Sequence, residues 1–414
     1  MKIGGVRVFD GERMLDAQDV IIRDGAIASV CDTTSQPTDI DGRGCTLLPG
    51  LFDAHVHVSP NPDESLRQLA TMGVTTALDM FSGGRPLERI RELRAAEPAG
   101  LATVRTAGTG ATAPGSMLEK MSGQPLPAVD RPEAARAWVD ARLADGSDYI
   151  KIVYDPREGG PLDQATMTAL VRAAHDRGVL AVAHTLSEQQ AREAIAAGVN
   201  GLAHLFIGAS AGPDFGAFAA AHGIFVIPTL TILRGLCGYR LGEELANDPQ
   251  LAARVSAARP RTAIKPAEPG RNRLYTATTE ALNQLVAEGV PILAGTDTAL
   301  PTAQFGVYGF GATLHAELEL LVRAGLRPVQ ALTAATSAPA KAFGLTDRGG
   351  IRPGLRADLL MVESDPSTDI RNTRKMIAVW QSGTLLIRTH GPDARRFRTA
   401  PTSPAEVAGH SPAP

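Results

Sequence analysis

Eight short apolar segments alternate with helix-like segments through the middle of the chain, and this alternation constrains the fold more than any other feature. The segments between them have apolar residues at helical spacing and end in glycine, a usual helix stop. Strands that alternate with helices over about 300 residues predict an α/β fold, the (β/α)8 TIM barrel. The eight candidate strands are GLFDAHVHV, TTALDMF, LATVRTAG, DYIKIVYD, VLAVAHT, GLAHLF, IFVIPTL and PILAGTD.

The two ends of the chain show a different pattern, in which apolar and polar residues alternate between glycine-containing turns. This alternation indicates short antiparallel strands. We therefore predict one small β-domain formed by residues 1–48 and 350–390, beside a barrel formed by residues 49–349. Residues 391–414 are rich in proline, alanine and serine, and this composition predicts a disordered tail.

Composition and charge argue against several classes of partner. The 41 basic and 44 acidic residues are mixed along the chain and give a formal net charge of −3, so no basic face for nucleic acid is expected. No window reaches the ~20 apolar residues of a membrane span, and the first residues lack the apolar stretch of a signal peptide. The 3 cysteines are far apart, which does not indicate a disulfide framework. We expect a cytoplasmic protein that acts on a small molecule, without nucleic acid or membrane.

Two histidines, His55 and His57, stand one residue apart at the end of the first candidate strand. Residues i and i+2 of a strand point to the same side, so both imidazoles face the same way. At the carboxyl end of a barrel strand, that side is the mouth where active sites lie. Taken alone, the pair fits two metal ligands and also fits two hydrogen-bonded core histidines.

A lysine in the fourth candidate strand bears on this choice. Lys151 lies between Ile150 and Ile152 in a run that we expect to be buried, where an unpaired ammonium is costly or loses its proton. One interpretation is that Lys151 pairs with a buried carboxylate. The other is that the neutral amine takes up carbon dioxide, and that the two oxygens of the resulting carbamate bridge two cations.

Other candidate strands end in residues of the metal-ligand type, namely His184, His204 and Asp297. With the three residues above they make six such residues at the ends of five of the eight strands, which chance placement explains less well than a site for two metal ions. Four neutral imidazoles, one carboxylate and one carbamate would leave two divalent ions with a formal charge of about +2, and a bridging hydroxide would lower this further.

These residues resemble the amidohydrolase superfamily. The resemblance extends from Gly4 to about Arg388 and rests on PGLFDAHVH, the strand lysine, the two later histidines and the aspartate of GTD. The closing stretch LHAELELLVRAGLRPVQALTAATSAPAKAFGL is similar to the imidazolonepropionase-like and Xaa-Pro dipeptidase-like branch, whose sites are binuclear. The resemblance implies that the two chain ends form a composite β-sandwich. It also implies a homo-oligomer and two divalent ions, with zinc expected, held by His55, His57 and Asp297, by His184 and His204, and by a bridging carboxylated Lys151.

The predicted reaction is hydrolysis. Two metal ions lower the pKa of a shared water, and one of them polarises the substrate carbonyl. Asp297 is the expected catalytic residue, because its second carboxylate oxygen is placed to pass a proton to the leaving nitrogen. We predict an amidohydrolase that cleaves an N-acyl amino acid, a dipeptide or a cyclic amide. The alternatives are a lactonase, esterase or phosphotriesterase on the same site, a deaminase, and a non-catalytic scaffold.

The substrate-binding candidates are Tyr154, Arg157 and His315. Tyr154 and Arg157 follow Lys151 on the expected catalytic face, and His315 begins the last helix of the expected barrel. Asp53 is expected to secure the end of the first strand rather than to act in catalysis. Long segments after the third and seventh strands are expected to shape a pocket. The first reads TGATAPGSMLEKM and lacks the Gly-Gly-His segment common in the resembling dipeptidases, which weakens a dipeptidase assignment.

Overall fold

The structure is a computed structural model. It describes residues 1–116, 119–120, 125–154, 162–208, 210–239, 244–245, 247–251, 272–299, 309–388 and 395–397.

Strands occur at both ends of the chain and alternate with helices between them. The strands are β1 Lys2–Phe9, β2 Met14–Arg23, β3 Ala26–Asp32, β4 Ile40–Asp41, β5 Cys45–Pro49, β6 Leu51–Val56, β7 Val74–Asp79, β8 Thr103–Thr106, β9 Ile150–Val153, β10 Ala181–His184, β11 Gly201–Ala203, β12 Phe225–Ile227, β13 Leu359–Glu363, β14 Met376–Gln381 and β15 Thr384–Arg388. The α-helices are α1 Pro62–Thr71, α2 Gly84–Ala96, α3 Ala135–Ala144, α4 Gln164–His175, α5 Glu188–Ala196, α6 Phe215–Ala221, α7 Leu230–Leu236, α8 Asn272–Ala287, α9 Ala312–Arg323, α10 Pro328–Ala334 and α11 Ser337–Ala342.

Strands from both ends of the chain join in one sheet. Its order is β15-β14-β13-β5-β1-β2-β3, and β4 pairs with β1. The two ends meet where β13 pairs antiparallel with β5. The prediction that both termini build one β-rich unit agrees with this pairing. The described strands of the two chain ends are hydrogen-bonded into a single sheet, and the folding of this sheet into a two-layered sandwich stays a prediction.

Two inner strands of this terminal sheet, β5 and β13, are buried on both faces. Leu47 and Leu359 pack into a core cluster on one face, whereas their neighbours Leu48 and Leu360 pack into the cluster of the central part of the chain. Successive residues of a strand point to opposite faces, so a strand covered on both sides needs apolar residues at every position. The uninterrupted run LLMV of β13 meets this need.

The central strands are parallel and form two sheets, β6-β7-β8 and β12-β11-β10-β9. Seven of the eight predicted strands are therefore present, and the α/β class is confirmed. Isolated bridges connect the sheets to each other and to the eighth segment, at Ala111↔Ile152, Val226↔Ile292 and Val56↔Thr298.

The eighth predicted strand, PILAGTD, is not a regular strand in the structure. Leu293 N donates to Val226 O, and Ala54 N donates to Ala294 O, so the segment lies between β12 and β6. Asp297 then takes a positive φ of 55°, which ends the extended conformation. The segment reaches both neighbours without forming the repeated pairing of a strand.

A helix cap fixes the chain direction just after His184. The Ser187 side chain accepts a hydrogen bond from Gln190 N, and the Gln190 side chain accepts one from Ser187 N, which is the reciprocal pattern of a capping box. Helix α5 therefore begins at a defined place, a few residues beyond the end of β10. Within the described part of the chain, no helix has the length and apolar character needed to cross a membrane.

Candidate metal centre

The predicted ligands lie in, or directly after, the central parallel strands and the eighth segment. His55 lies in β6, Lys151 in β9 and His184 at the end of β10, and His204 follows β11 directly. Asp297 belongs to the eighth segment, where its N–H donates to His55 O at 2.7 Å. Parallel strands present their carboxyl ends to the same side, so the fold gathers residues that are far apart in the sequence.

His55, His57 and Asp297 form the tightest group. Asp297 Oδ1 lies 3.3 Å from His55 Nε2 and 2.8 Å from His57 Nε2. One possible ligand atom from each residue lies within 4.8 Å of the others, which is close enough for a shared metal ion. The side chain of His55 is only 1% exposed, whereas those of His57 and Asp297 are 25% and 18% exposed. The group therefore opens on one side towards solvent.

The four predicted histidines form a continuous cluster of rings. The ring centroid of His55 lies 5.3 Å from that of His57 and 4.7 Å from that of His204. The His204 ring lies 4.6 Å from the His184 ring. The structure therefore brings the four predicted histidines together.

Lys151 is buried beside this cluster, and its side chain lacks a partner. The residue is 3% exposed, and its Nζ atom has no hydrogen-bond partner among the described residues. Burial lowers the pKa of Lys151 to about 7, although the negative charge of Asp297 acts to raise it. An unsatisfied buried amine is costly, so this position fits the neutral amine that carbamate formation requires.

The imidazoles and the carboxylate have complementary protonation states. Burial lowers the pKa of His55 to about 3 and that of His204 well below its ordinary value. Burial acts to raise the pKa of Asp297, but the charge of His55 and hydrogen bonds with His55 and His57 hold it well below its usual range. Burial acts to lower the pKa of His57, and its hydrogen bond with Asp297 raises it overall. His55 and His204 are therefore neutral beside an ionised carboxylate, and these are the states in which imidazole and carboxylate bind a divalent ion such as zinc.

The backbone is left-handed at three neighbouring positions of the centre. His204 has a φ of 74°, Thr229 a φ of 48° and Asp297 a φ of 55°. These residues end or follow β11, β12 and the eighth segment in turn. Residues other than glycine rarely adopt this conformation, and those that do cluster at functional sites, where surrounding contacts hold them.

Asp53 has the structural role that the sequence predicted. Its carboxylate is fully buried and accepts hydrogen bonds from Thr296 N at 3.1 Å, from Thr296 Oγ1 at 2.7 Å and from His55 N at 3.2 Å. Burial raises the pKa of Asp53 to about 7 despite these donors. The carboxylate ties β6 to the eighth segment, so it fixes the spacing between His55 and Asp297.

Sequence reasoning missed other residues around the centre. Asp79, at the end of β7, accepts hydrogen bonds from Val58 N at 3.1 Å and from Thr106 Oγ1 at 2.6 Å. It secures the turn that follows His57, and the strand-end pattern that identified the ligands applies to Asp79 too. Thr229 contacts His204 Nδ1 at 2.7 Å, and no sequence pattern indicates this contact.

The substrate-binding candidates have different outcomes. Tyr154 is buried, and its hydroxyl donates to Glu193 Oε2 of α5 at 2.5 Å, so a carboxylate of the protein already engages it. Arg157 lies outside the described residues, as does most of the long segment predicted to follow the seventh strand.

His315 is not at the centre, which corrects the pocket role predicted for it. Its Nδ1 lies 3.0 Å from Thr373 Oγ1, and its Nε2 lies 3.0 Å from Met72 O. Met72 precedes β7 and so lies at the amino end of that strand, away from the ligands. Both ring nitrogens hold structural contacts, and His315 joins α9 to the segments that surround it.

Comparison with known proteins supports the expected family. A model described as Amidohydrolase family matches residues 46–386. An adenine deaminase of Halalkalibacterium halodurans is 23% identical over 398 residues, which cover 89% of this chain and 55% of the deaminase, so the chain spans about half the length of that relative. An uncharacterized protein of Mycobacterium tuberculosis is 28% identical over 84% of this chain and 86% of its own length.

Solved structures of similar fold extend over nearly the whole chain. A Xaa-Pro dipeptidase with bound methionine in its active site has a TM-score of 0.75 at 22% identity, covering 93% of this chain and 98% of that one. A putative prolidase from Bifidobacterium longum has a TM-score of 0.74 at 24% identity, covering 94% of each chain. Similarity at this level of identity shows a shared fold. The match to the family model covers most of the chain, and the protein therefore belongs to the amidohydrolase family.

Proposed function

We propose that the protein is a metal-dependent hydrolase that cleaves an amide C–N bond in a small molecule. The observation that carries the proposal is the cluster of four imidazoles and Asp297 around Lys151, whose buried Nζ lacks a partner in the described part of the chain. Nitrogen and oxygen donors in this number suit two divalent ions, and zinc is the ion that such donors most often bind. When bound, two such ions would lower the pKa of a water between them and polarise the substrate carbonyl.

In this proposal the ligands divide into two sets. His55, His57 and Asp297 would hold one ion, because Asp297 Oδ1 already lies within 3.3 Å of both Nε2 atoms. His184 and His204 would hold the second. Lys151 would serve both as a carbamate, which its lowered pKa favours because carbon dioxide reacts with the neutral amine.

Asp297 is the proposed proton carrier. It is held ionised by the neighbouring imidazoles, and its Oδ1 is the atom that contacts them. Its second oxygen can take the proton of the attacking water and give it to the leaving nitrogen. The 18% exposure of its side chain leaves the carboxylate accessible from the open side of the centre.

The proposed substrate is an N-acyl amino acid, a dipeptide or a cyclic amide. The prolidase and dipeptidase structures of similar fold favour this class. The adenine deaminase among the relatives makes hydrolytic deamination of a purine the second candidate, since it also breaks a C–N bond. Hydrolysis of an ester, a lactone or a phosphotriester on the same centre is the remaining alternative.

We also infer that the two parallel sheets close into a (β/α)8 barrel and that the terminal sheet folds into a β-sandwich. The bridges that join Ala111, after β8, to β9, and that join β12 and β6 to Ile292 and Thr298, support the barrel. The burial of β5 and β13 on both faces supports the sandwich. The expected homo-oligomer and the cytoplasmic location rest on the resemblance and on composition alone.

Replacement of Lys151 tests the proposal. Lys151→Ala should lose most of the bound metal and of the hydrolytic rate, because the two ions lose their bridge, and a short carboxylic acid should restore part of both. Metal content is measured by elemental analysis, and rates are measured on a panel of dipeptides, N-acyl amino acids, cyclic amides, adenine, lactones and phosphotriesters. Lys341→Ala is the control, since Lys341 is exposed on α11.

Each outcome of this test has one meaning. A Lys151→Ala protein with full metal content and an unchanged rate would contradict the bridging role. A wild-type protein that takes up less than one equivalent of zinc, even with added bicarbonate, would contradict the metal centre itself. Turnover of adenine or of esters without turnover of amides would replace the proposed substrate class by an alternative.

A further inference from the structure

Thr229 lies directly behind one of the proposed ligands. It is fully buried between β12 and α7, and its Oγ1 lies 2.7 Å from His204 Nδ1. The same hydroxyl lies 2.9 Å from Pro228 O, to which it donates. The Thr229 side chain is therefore in contact with one ring nitrogen and one carbonyl oxygen.

The hydrogen atoms in this arrangement can be counted. A hydroxyl has one hydrogen to donate, and a carbonyl oxygen can only accept. If the Thr229 hydroxyl donates to Pro228 O, it must accept from His204, and His204 then has its hydrogen on Nδ1. A neutral imidazole carries one N–H, so Nε2 is left with a free lone pair, as a metal ligand requires.

The backbone at Thr229 gives a second, independent indication. Its φ is 48° and its ψ is 51°, in the left-handed region. A β-branched residue is unfavourable there, whereas glycine or asparagine is readily accepted. The strain is explained if the position needs a hydroxyl at this exact distance from the ring.

A buried carboxylate holds the turn in place. Glu317 of α9 accepts hydrogen bonds from Leu230 N and Thr231 N, each at 2.8 Å, and Glu317 is fully buried. Thr231 Oγ1 in turn donates to Thr296 O at 3.0 Å. The two residues after Thr229 are thus fixed from α9 and from the eighth segment, and this holds the Thr229 backbone in place beside the ring.

We propose that Thr229 is a positioning residue that fixes His204 as the Nδ1–H tautomer and so directs Nε2 to the second metal ion. This inference rests on the proposed function, in which His204 is a ligand. The opposite arrangement, with the hydroxyl donating to Nδ1, would leave a hydrogen on Nε2 and prevent that atom from binding a cation. Partners of this kind typically change metal affinity by about 10–100-fold when they are removed.

Two variants with matched shapes test the inference. Thr229→Val keeps the branched shape and removes the hydroxyl, and Thr229→Ser keeps the hydroxyl and removes the methyl group. Zinc binding is measured by titration against a competing chelator, and thermal unfolding of the metal-free proteins checks the fold. We expect Thr229→Val to bind the second ion about 10–100-fold more weakly and the first ion as in the wild type. Thr229→Ser should bind both ions as in the wild type.

The tautomer is measured directly and without metal. In metal-free protein with 15N-labelled histidine, NMR distinguishes Nδ1–H from Nε2–H, and the His204 signal is assigned by its loss in His204→Gln. We expect Nδ1–H in the wild type and in Thr229→Ser, and a larger Nε2–H population in Thr229→Val. This measurement decides the inference even if Thr229→Val does not fold.

Failure of the inference differs from failure of the proposed function. A wild-type His204 with its hydrogen on Nε2, or a Thr229→Val protein that binds the second ion as tightly as the wild type, would overturn the role of Thr229. A wild-type protein that binds fewer than two ions would instead contradict the proposed centre, and the tautomer result would still decide the contact with Thr229.

Discussion

Gly295 precedes Asp297 by two residues, and its lack of a side chain lets the eighth segment approach β6. A Cβ atom added at Gly295 would lie 2.5 Å from Ile227 Cγ2, 2.7 Å from His55 N and 2.9 Å from His55 Cβ. Two of these contacts involve His55 itself, and one involves its backbone. Gly295 therefore sets the distance between the eighth segment and His55, a proposed ligand in β6.

Gly295→Ala should weaken both the fold and the metal centre. Insertion of a methyl group into a packed site typically costs about 1–3 kcal/mol, and the backbone of His55 would have to move away from Asp297. We expect a lower melting temperature and a lower zinc affinity. Gly83→Ala is the control, because its added Cβ meets only Thr109 Oγ1, at 3.0 Å. A wild-type affinity in Gly295→Ala would show that the contact is not restrictive.

For single residues, the sequence indicated which candidate ligands come together better than it indicated their other contacts. Most of the candidate ligands are polar residues at the end of an apolar strand, and the fold places such residues together. The position of His315 near an expected loop resembled a pocket position, but its partners Met72 and Thr373 are distant in the sequence. Thr229 was missed for the same reason, since a buried threonine has no local pattern that identifies its partner.

At the scale of elements, the first backbone N–H groups of α7 are bound by a residue of another helix. The helix begins at Leu230, and the first N–H groups of a helix have no partner within it. Glu317 of α9 accepts from two of them, at Leu230 and Thr231. Burial raises the pKa of Glu317 to about 8, although these backbone donors act to lower it.

The raised pKa of Glu317 predicts a dependence of stability on pH. Between the ordinary pKa of 4.5 and the folded value of about 8, the folded protein binds more protons than the unfolded chain, so stability falls as pH rises through this range. Glu317→Gln cannot ionise and should lose this part of the slope. Melting temperatures of the metal-free wild type and of the metal-free variant are compared from pH 5 to pH 8. Each unit of difference between the folded and unfolded pKa corresponds to about 1.4 kcal/mol of stability. Glu280→Gln, at an exposed position of α8, is the control.

Parallel profiles of melting temperature against pH for wild type and Glu317→Gln would contradict this prediction.

The contact between α7 and Glu317 also shows which feature a local sequence pattern does not predict. The sequence placed His315 at the start of a helix that also contains Glu317, but a glutamate in a helix is usually a surface residue. Its burial depends on the path of the chain after β12, which no local pattern specifies.

For the whole molecule, the terminal sheet and the central part are joined by hydrogen bonds that cross between them. Gly50 N donates to Asp358 O at 2.7 Å, and Gln381 Nε2 donates to Leu101 O at 2.7 Å. The sequence predicted that both ends meet, because both show the alternation of strands. It did not predict that β5 lies between β1 and β13, since strand order depends on contacts between residues hundreds of positions apart.

Removal of residues 350–414 should therefore prevent folding of the whole chain. The deletion removes β13, so β5 loses the strand that covers one of its edges, and Leu47 and Leu48 lose the partners that bury them on both faces. Exposed strand edges and apolar faces promote aggregation. We expect an insoluble or unfolded product by size-exclusion chromatography and circular dichroism. Truncation after Phe397 is the control, because it keeps every described strand, and it should retain the wild-type melting temperature if residues 398–414 form the predicted tail. A soluble 1–349 fragment with a cooperative unfolding transition would show that the central part folds alone, and the bonds at Gly50 and Gln381 would then join two independent units.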